Sequence, residues 1–254
     1  MLEQKYDRVP WTARQTFTGV FFTLVPWLAF TGLIGLTAST SHPVAMSPRL
    51  DLVNALATLI FSLVSEGIFL VAPLYFARRT ASARLVERET LWQVLGFRNF
   101  SFGRTLPLLF IFIVAIFAVN EIYQFLITTL HLPLQTNAQV IIERAKFAPV
   151  TTYVSLVVAV CVAPFCEEIF FRSFTFMGLL GDMPAGIAIV LSSLIFAVAH
   201  GDPGSFIVLF CIGLALAFLR WRTRSIWPGI ILHLLNNALG ALSIILAMHG
   251  GAGF

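Results

Sequence analysis

The sequence predicts an all-α protein, a polytopic integral membrane bundle of about seven to eight transmembrane helices. Hydrophobic residues make up 58% of the 254 residues and charged residues only 11%, whereas soluble domains carry about 25% charged residues. Long apolar runs recur along the chain, and short arginine-bearing segments separate them. Because no Pro/Ser-rich linker, low-complexity tract or internal repeat interrupts this pattern, we interpret residues 1–254 as one domain in the cell membrane.

The first half of the chain is predicted to contain three spans. The first apolar run, residues 17–38, is too long for the core of a signal peptide, so we expect it to be retained as a span. The second run, residues 50–76, carries Glu66, and the third, residues 106–130, carries Glu121. Each carboxylate is alone on its helix. We interpret both as helix–helix contacts, with a proton or ion path as the alternative.

Arginine-rich connectors predict the orientation of the helices, because such connectors are typical of cytoplasmic loops. Residues 77–104 form one connector and residues 220–224 form another. With about seven spans, both connectors and the amino terminus are cytoplasmic, and the carboxyl terminus is external. The net charge is +4, and the arginines cluster in short segments between apolar runs, as in cytoplasmic loops, so we expect no nucleic-acid partner. The arginines of the first connector are Arg78, Arg79, Arg84, Arg88, Arg98 and Arg104.

The second half of the chain contains a helix break within its apolar runs. Residues 183–200 and 205–219 are joined by His200-Gly201-Asp202-Pro203-Gly204, and residues 226–248 form the last predicted span. Irregular backbone at membrane depth is tolerated only where it is buried in protein or lines a wet cavity. For His200 and His233 both to meet Glu167, this turn must dip into the bilayer or the neighbouring helices must be short and tilted, and the breaker residues permit this.

A charged stretch lies between the third predicted span and the run that begins at residue 183. Glu167, Glu168 and Arg172 are the only side chains expected to be charged between Val150 and Leu180. A charged side chain in hydrocarbon costs roughly 3 kcal/mol, so it is usually paired, faces a wet cavity or takes part in chemistry. On a helix, Glu168 and Arg172 share a face, whereas Glu167 points about 100° away. Two interpretations remain: a structural ion pair with a snorkelling neighbour, or an ion pair beside a general base.

Two further polar motifs complement these charges. Phe196-Ala-Val-Ala-His200 ends an apolar run with a histidine, and His233-Leu-Leu-Asn236-Asn237 lies within the last span. His233 and Asn237 are four residues apart and share a helix face. The structural alternatives are a helix-capping His200 and a satisfied core His233.

Taken together, these side chains are the parts of a hydrolase. Glu167 would activate water, His200 would hold that water or a metal, and His233 with Asn237 would donate hydrogen bonds to a developing oxyanion. This set suits amide hydrolysis without a covalent intermediate. Cys166, next to Glu167, leaves a thiol nucleophile as an alternative.

The order of the motifs resembles a known family. Glu167-Glu168-x-x-x-Arg172, Phe196-x-x-x-His200 and His233-x-x-x-Asn237 are similar to the three motifs of the CPBP intramembrane protease family. This family includes the CAAX prenyl endopeptidases and the bacteriocin-processing or immunity (Abi) proteins. The resemblance covers residues 150–248, and Trp227-Pro228 also looks typical of it.

The resemblance implies a role for each motif residue. Glu167 is implied as the catalytic base and His200 as its partner in binding water. His233 and Asn237 are implied as the oxyanion-stabilising or ligand pair, and Glu168 with Arg172 as the groups that orient the site. A zinc ion on Glu167, His200 and His233 is a second reading of the resemblance. The sequence lacks the H-E-x-x-H spacing that indicates zinc strongly.

The expected activity is that of an intramembrane endopeptidase that uses glutamate-activated water. Its partners would be the lipid bilayer and a membrane-associated peptide or protein, with a prenylated CAAX protein and a leader peptide as the substrates that the resemblance implies. The competing hypothesis is a non-catalytic membrane scaffold or an immunity-type protein. A third hypothesis is a small transporter that uses Glu66, Glu121 and Glu167.

Overall fold

The computed structural model describes residue 9 and residues 11–39, 45–83 and 90–250, and within these ranges it contains helices and no β-strand. The predicted all-α class is therefore confirmed for the described residues. The helices are α1 (Ala13–Ser39), α2 (Pro48–Ala83), α3 (Leu91–Val94), α4 (Phe102–Thr129), α5 (Asn137–Ala145), α6 (Pro149–Cys161), α7 (Ala163–Glu167), a π-helix (Glu168–Phe176), α8 (Met177–Asp182), α9 (Ala185–Ala199), α10 (Phe206–Thr223) and α11 (Trp227–Met248).

Five helical segments in the described ranges are long and apolar enough to cross a membrane. Their length and composition make the chain a multi-pass membrane protein, because a bilayer forces apolar backbone to satisfy its own hydrogen bonds in helices. The shorter α9 is also apolar, and the total of seven to eight spans stays a prediction. The five segments are Pro48–Arg79, Phe102–Thr129, Pro149–Asp182, Phe206–Thr223 and Trp227–Met248.

Hydrogen bonds between distant residues show which helix ends share one face of the bundle. The Ala13 amide donates to the Asp182 carboxylate at 2.6 Å, which joins the start of α1 to the end of α8. The Ile226 amide donates to the Gly96 carbonyl at 2.9 Å, which joins the connector before α11 to the connector after α3. The two arginine-rich connectors therefore meet, as a common cytoplasmic face requires.

The opposite face is joined in the same way. The Met46 amide donates to the Phe147 carbonyl at 3.0 Å, and the Asn137 amide donates to the Asp202 carboxylate at 3.1 Å. The turn after α9 is thus held against the start of α5. The cytoplasmic assignment of the basic face stays a prediction, and two of its arginines, Arg84 and Arg88, lie outside the described residues.

The long segment Pro149–Asp182 positions the charged stretch. The regular helix is interrupted at Val162, where φ is −111° and ψ is −52°. Pro164 follows in the first turn of α7. Pro lacks a backbone N–H, so it is compatible with this first turn and not with an uninterrupted helix. The π-helix then begins at Glu168, and all of its residues are buried. π-helical turns are rare and often mark functional sites.

The short helix α9 determines the depth of the turn that carries His200. Its fifteen residues span about 22 Å at 1.5 Å per residue, whereas the hydrocarbon core of a bilayer is about 30 Å thick. This helix is therefore too short to cross such a layer, and we expect the turn from His200 to Ser205 to lie below the membrane surface. This depth brings His200 towards the middle of the segment Pro149–Asp182.

We expect Asp51 to stabilise the fold by capping α6. This side chain, only 2% exposed, accepts hydrogen bonds from the Val150 amide at 2.8 Å, the Thr151 amide at 3.1 Å and the Thr151 hydroxyl at 2.7 Å. Asp51→Ala should lower the free energy of unfolding by about 1.5–3 kcal/mol, because buried donors to a charged acceptor lose their partner. Reversible unfolding in detergent would measure this loss. An unchanged stability would contradict the capping role, and Asp51→Asn, which keeps one acceptor oxygen, should lose less.

Candidate active site

The two glutamates of the charged stretch lie on either side of the change from α-helix to π-helix. Glu167 is the last residue of α7, and Glu168 is the first residue of the π-helix. The Glu168 side chain is fully buried, whereas the Glu167 side chain is 13% exposed. The neighbouring carboxylates therefore have different surroundings, as their different directions on a helix predict.

Glu168 forms the buried ion pair that its spacing predicts. Its Oε1 lies 3.4 Å from Arg172 Nε, and both side chains are buried. The Arg172 guanidinium also lies over the Phe196 ring, 4.3 Å from its centroid. Within the described part of the chain, the Arg172 nitrogens form no hydrogen bond of good geometry, so the contact with Glu168 is an ion pair rather than a hydrogen bond. The carboxylate charge and the aromatic face are thus what balances this buried cation.

Both histidines use Nδ1 for an orienting contact. His233 Nδ1 lies 3.2 Å from Glu168 Oε1, and His200 Nδ1 lies 2.7 Å from the Phe196 carbonyl oxygen. Because a carboxylate and a carbonyl only accept hydrogen bonds, each Nδ1 must carry the proton and donate. This fixes the orientation of both rings and leaves each Nε2 for the site.

The two Nε2 atoms converge on Glu167. His200 Nε2 lies 3.8 Å and His233 Nε2 lies 3.7 Å from Glu167 Oε2, and this oxygen accepts no hydrogen bond from the described residues. The separations exceed the roughly 3.2 Å limit of a direct N–H···O bond. They suit a small hydrogen-bonding molecule that contacts more than one of these atoms. Residues from α7, α9 and α11 are thus brought together, although they are far apart in sequence.

The same three residues have the donor types of a zinc site but not its spacing. Two ligand atoms in a tetrahedral zinc site are about 3.4 Å apart when each lies about 2.1 Å from the metal. The Glu167 oxygen is 3.8 and 3.7 Å from the two nitrogens. Across the described ranges, no group of three or more His, Cys, Asp or Glu side chains is arranged to hold a metal ion. These separations are longer than those of a bound zinc site, and a chelator experiment described below tests whether the three side chains hold a metal.

Asn237 makes a contact that the helix-face argument did not predict. Its Nδ2 donates to the Ala159 carbonyl at 2.8 Å, which ties α11 to α6. Its Oδ1 accepts from Asn236 Nδ2 at 3.3 Å. The structure therefore brings Glu167, Glu168, Arg172, His200 and His233 together, while Asn237 braces the helix that carries His233.

Sequence reasoning did not single out Gly229 as part of this site. A Cβ atom built on Gly229 would lie 2.5 Å from Glu168 Oε2, so the backbone of α11 approaches the carboxylate too closely for any side chain. Gly229 follows the Trp227-Pro228 pair at the start of α11. Its position directly after Trp227-Pro228, the pair that resembles the family, is the sequence feature that could have identified this glycine.

Glu66 also faces this region, although the sequence favours a packing role. Its Oε2 is buried and, among the described residues, has no hydrogen-bond partner. The carboxyl group lies within electrostatic reach of Glu167, because α2 packs against α7 and the π-helix. Glu121 faces a separate cavity, together with Asn120 and Asn236.

Comparisons with known proteins match the segment that contains the site. Residues 149–239 match the family model for type II CAAX prenyl endopeptidase Rce1-like proteins. A putative membrane peptidase of Bacillus subtilis, YdiL, is 34% identical over 101 residues, which cover 40% of this chain and 40% of YdiL. An uncharacterized protein of Mycoplasma capricolum is 29% identical over 150 residues, which cover 54% of this chain and 43% of that protein. No solved structure matches the chain significantly.

These matches show that the segment containing the site is similar to membrane peptidases. The family model covers residues 149–239, which include all three motifs, so the resemblance seen in the motifs is confirmed for this segment. The matches span only about two fifths of the length of the curated relatives, 40% and 43%.

The buried ion pair leads to a stability prediction. Glu168→Gln should lower the free energy of unfolding by about 3–5 kcal/mol, because it leaves the buried Arg172 without its counter-charge. Glu143→Gln is the matched control, because Glu143 forms an exposed pair with Lys146 that contributes about 1 kcal/mol or less. Unfolding in detergent measures both. Equal stability of the two variants would show that the Glu168–Arg172 pair is not essential. In the Glu168→Gln background, Arg172→Met should restore stability, because it removes the unpaired buried charge.

The close approach of Gly229 leads to a second prediction. Gly229→Ala should displace the Glu168 carboxylate and separate it from His233, since the added methyl group would overlap Oε2. Overpacking of this kind costs about 1–3 kcal/mol. Gly240→Ala on the same helix is the control, because a Cβ atom there meets no neighbour within 4 Å. If both variants unfold at the same temperature, the space around Glu168 is not restrictive.

Proposed function

We propose that the protein is an intramembrane endopeptidase in which Glu167 is the general base. The observation that supports this most strongly is the convergence of His200 Nε2 and His233 Nε2 on Glu167 Oε2, at 3.8 and 3.7 Å. A carboxylate oxygen with two imidazole nitrogens around it can hold and deprotonate one water molecule. The family match of residues 149–239 supports the same chemistry.

The first step is the attack of water on the peptide carbonyl. The water donates one hydrogen bond to Glu167 Oε2 and one to His200 Nε2, which has a free lone pair because Nδ1 donates to Phe196. Glu167 takes a proton as the water oxygen forms its bond to the carbonyl carbon. The carbonyl π electrons move to the oxygen, which becomes an oxyanion.

His233 is proposed to stabilise this oxyanion. Its Nδ1–H donates to Glu168, so the carboxylate balances the charge when Nε2 also carries a proton. The two carboxylates of the stretch and the Arg172 guanidinium leave one negative charge, which a protonated His233 neutralises. Its Nε2–H then donates to the developing oxyanion.

The second step breaks the peptide bond. The tetrahedral intermediate collapses, the C–N bond electrons go to nitrogen, and protonated Glu167 returns its proton to the leaving amine. The products are a carboxylic acid and an amine, and Glu167 is again a carboxylate. Asn237 takes no part in these transfers. We propose that it positions His233 by holding α11 to the Ala159 carbonyl of α6.

The proposed substrate is a peptide segment that reaches the site from the membrane. The Glu167 side chain is partly exposed at a helix change inside a long apolar segment, so the scissile bond must be delivered to membrane depth. The family model is described by CAAX prenyl endopeptidases, which makes a prenylated carboxyl-terminal peptide the first substrate to test. A leader-type peptide is the second.

We expect Glu167→Gln to lower turnover by about 10²–10⁴-fold, because the amide keeps the shape of the side chain and cannot accept the proton. The protein in lipid nanodiscs would be incubated with a farnesylated CAAX-type peptide, its unprenylated form and a leader-type peptide. Product formation would be followed by mass spectrometry, with Glu143→Gln as the charge-matched control. Unchanged turnover in Glu167→Gln would exclude Glu167 as the base. If the wild-type protein cleaves none of the peptides, the scaffold hypothesis is favoured.

A chelator distinguishes activation of water by Glu167 alone from activation by a bound metal. With Glu167 acting directly on water, turnover should be unchanged after incubation with 1,10-phenanthroline. A loss of turnover that added zinc restores would instead assign the same three side chains to a metal. The measurement uses the wild-type protein and the substrate that the first experiment identifies.

A further inference from the structure

A second cavity lies between α4, α5, α10 and α11. Its volume is about 530 Å³, which is within the range of sites that bind small molecules. Glu167, His200 and His233 do not line it. The peptidase site therefore does not account for this cavity.

The cavity carries one negative charge and no positive charge among the described residues that line it. Glu121 is its only carboxylate, and the amides of Asn120, Gln124 and Asn236 also line it. Within the described ranges, the hydrogen-bond donor to Glu121 is Asn120 Nδ2, at 3.4 Å from Oε1. Amides can hydrogen-bond a polar ligand, but they do not neutralise a carboxylate.

The Glu121 side chain is exposed on the helix bundle, and its position along α4 indicates that this exposed face lies within the bilayer rather than at its surface. It lies eight residues before Thr129, the end of α4, which corresponds to about 12 Å along the helix. A carboxylate at such depth is unfavourable unless it has a partner or faces water. A cationic partner in the cavity would remove this cost.

The remaining walls of the cavity are hydrocarbon. Ile116 and Phe117 line it from α4, Val208 and Ile212 from α10, and Leu239 from α11. A purely polar ligand would leave these surfaces against water, and an acyl chain alone would leave Glu121 without a counter-charge. The ligand must therefore have an extended apolar body and one cationic group.

We propose that this cavity binds a single-chain amphiphilic amine, with the ammonium group against Glu121 and the alkyl chain along α10 and α11. A metal ion is a poorer occupant, since the described residues include no group of three or more ligating side chains around Glu121. Asn236 would contact the ligand, and its side chain also donates to Asn237. Binding of the amine at this cavity does not require that the protein be a peptidase.

Thermal unfolding in nanodiscs of neutral phosphatidylcholine tests this site without any substrate. Dodecylamine and 1-dodecanol have the same chain and differ in charge, so their comparison isolates the contribution of Glu121. Dodecylamine should bind about tenfold more tightly than dodecanol, since a hydrogen bond to a charged group contributes about that much. Equal binding of the two probes would show a crevice for acyl chains only and would overturn the proposal.

Three variants locate the binding. Glu121→Gln should reduce dodecylamine binding to the dodecanol level, and Glu143→Gln, the same substitution outside the cavity, should retain the wild-type difference. Gly240→Leu should abolish binding of both probes, because Gly240 lines the cavity and a Cβ atom there meets no atom within 4 Å. Full dodecylamine binding in either Glu121→Gln or Gly240→Leu would place the amine elsewhere and refute the assignment.

Discussion

The ion pair between Glu168 and Arg172 is the interaction on which the rest of the site depends. Both side chains are buried, so neither charge can be removed without exposing the other to a low-dielectric interior. The same Glu168 oxygen orients His233, and Arg172 lies over the Phe196 ring, four residues before His200. One buried carboxylate thus connects the π-helix to α9 and α11.

Much of the architecture was predictable because a bilayer permits few solutions. Apolar runs must be helical at membrane depth, so the boundaries of the long spans follow from composition. The pairing of Glu168 with Arg172 followed from their spacing, and the breaker residues at His200 predicted the irregular turn between α9 and α10. These predictions rest on a periodicity and on the cost of isolated charge, both of which are visible in a single chain.

Other parts of the site depend on the packing of one helix on another, which spacing along one helix does not contain. His233 and Asn237 share a helix face, yet the amide donates to Ala159 on α6 while the imidazole contacts Glu168. The tight approach of Gly229 to Glu168 depends in the same way on where α11 crosses the π-helix. The π-helix itself changes the direction of residues after Glu167, and no residue type in the stretch requires it.

The short helix α9 affects the lipid as well as the protein. A helix of about 22 Å beside a hydrocarbon layer of about 30 Å is a case of negative hydrophobic mismatch. We expect the bilayer to thin next to α9, which would bring the headgroup region closer to His200. Lipids of different chain length would therefore change how far a polar peptide must travel to reach the site, so bilayer thickness becomes a variable of the reaction.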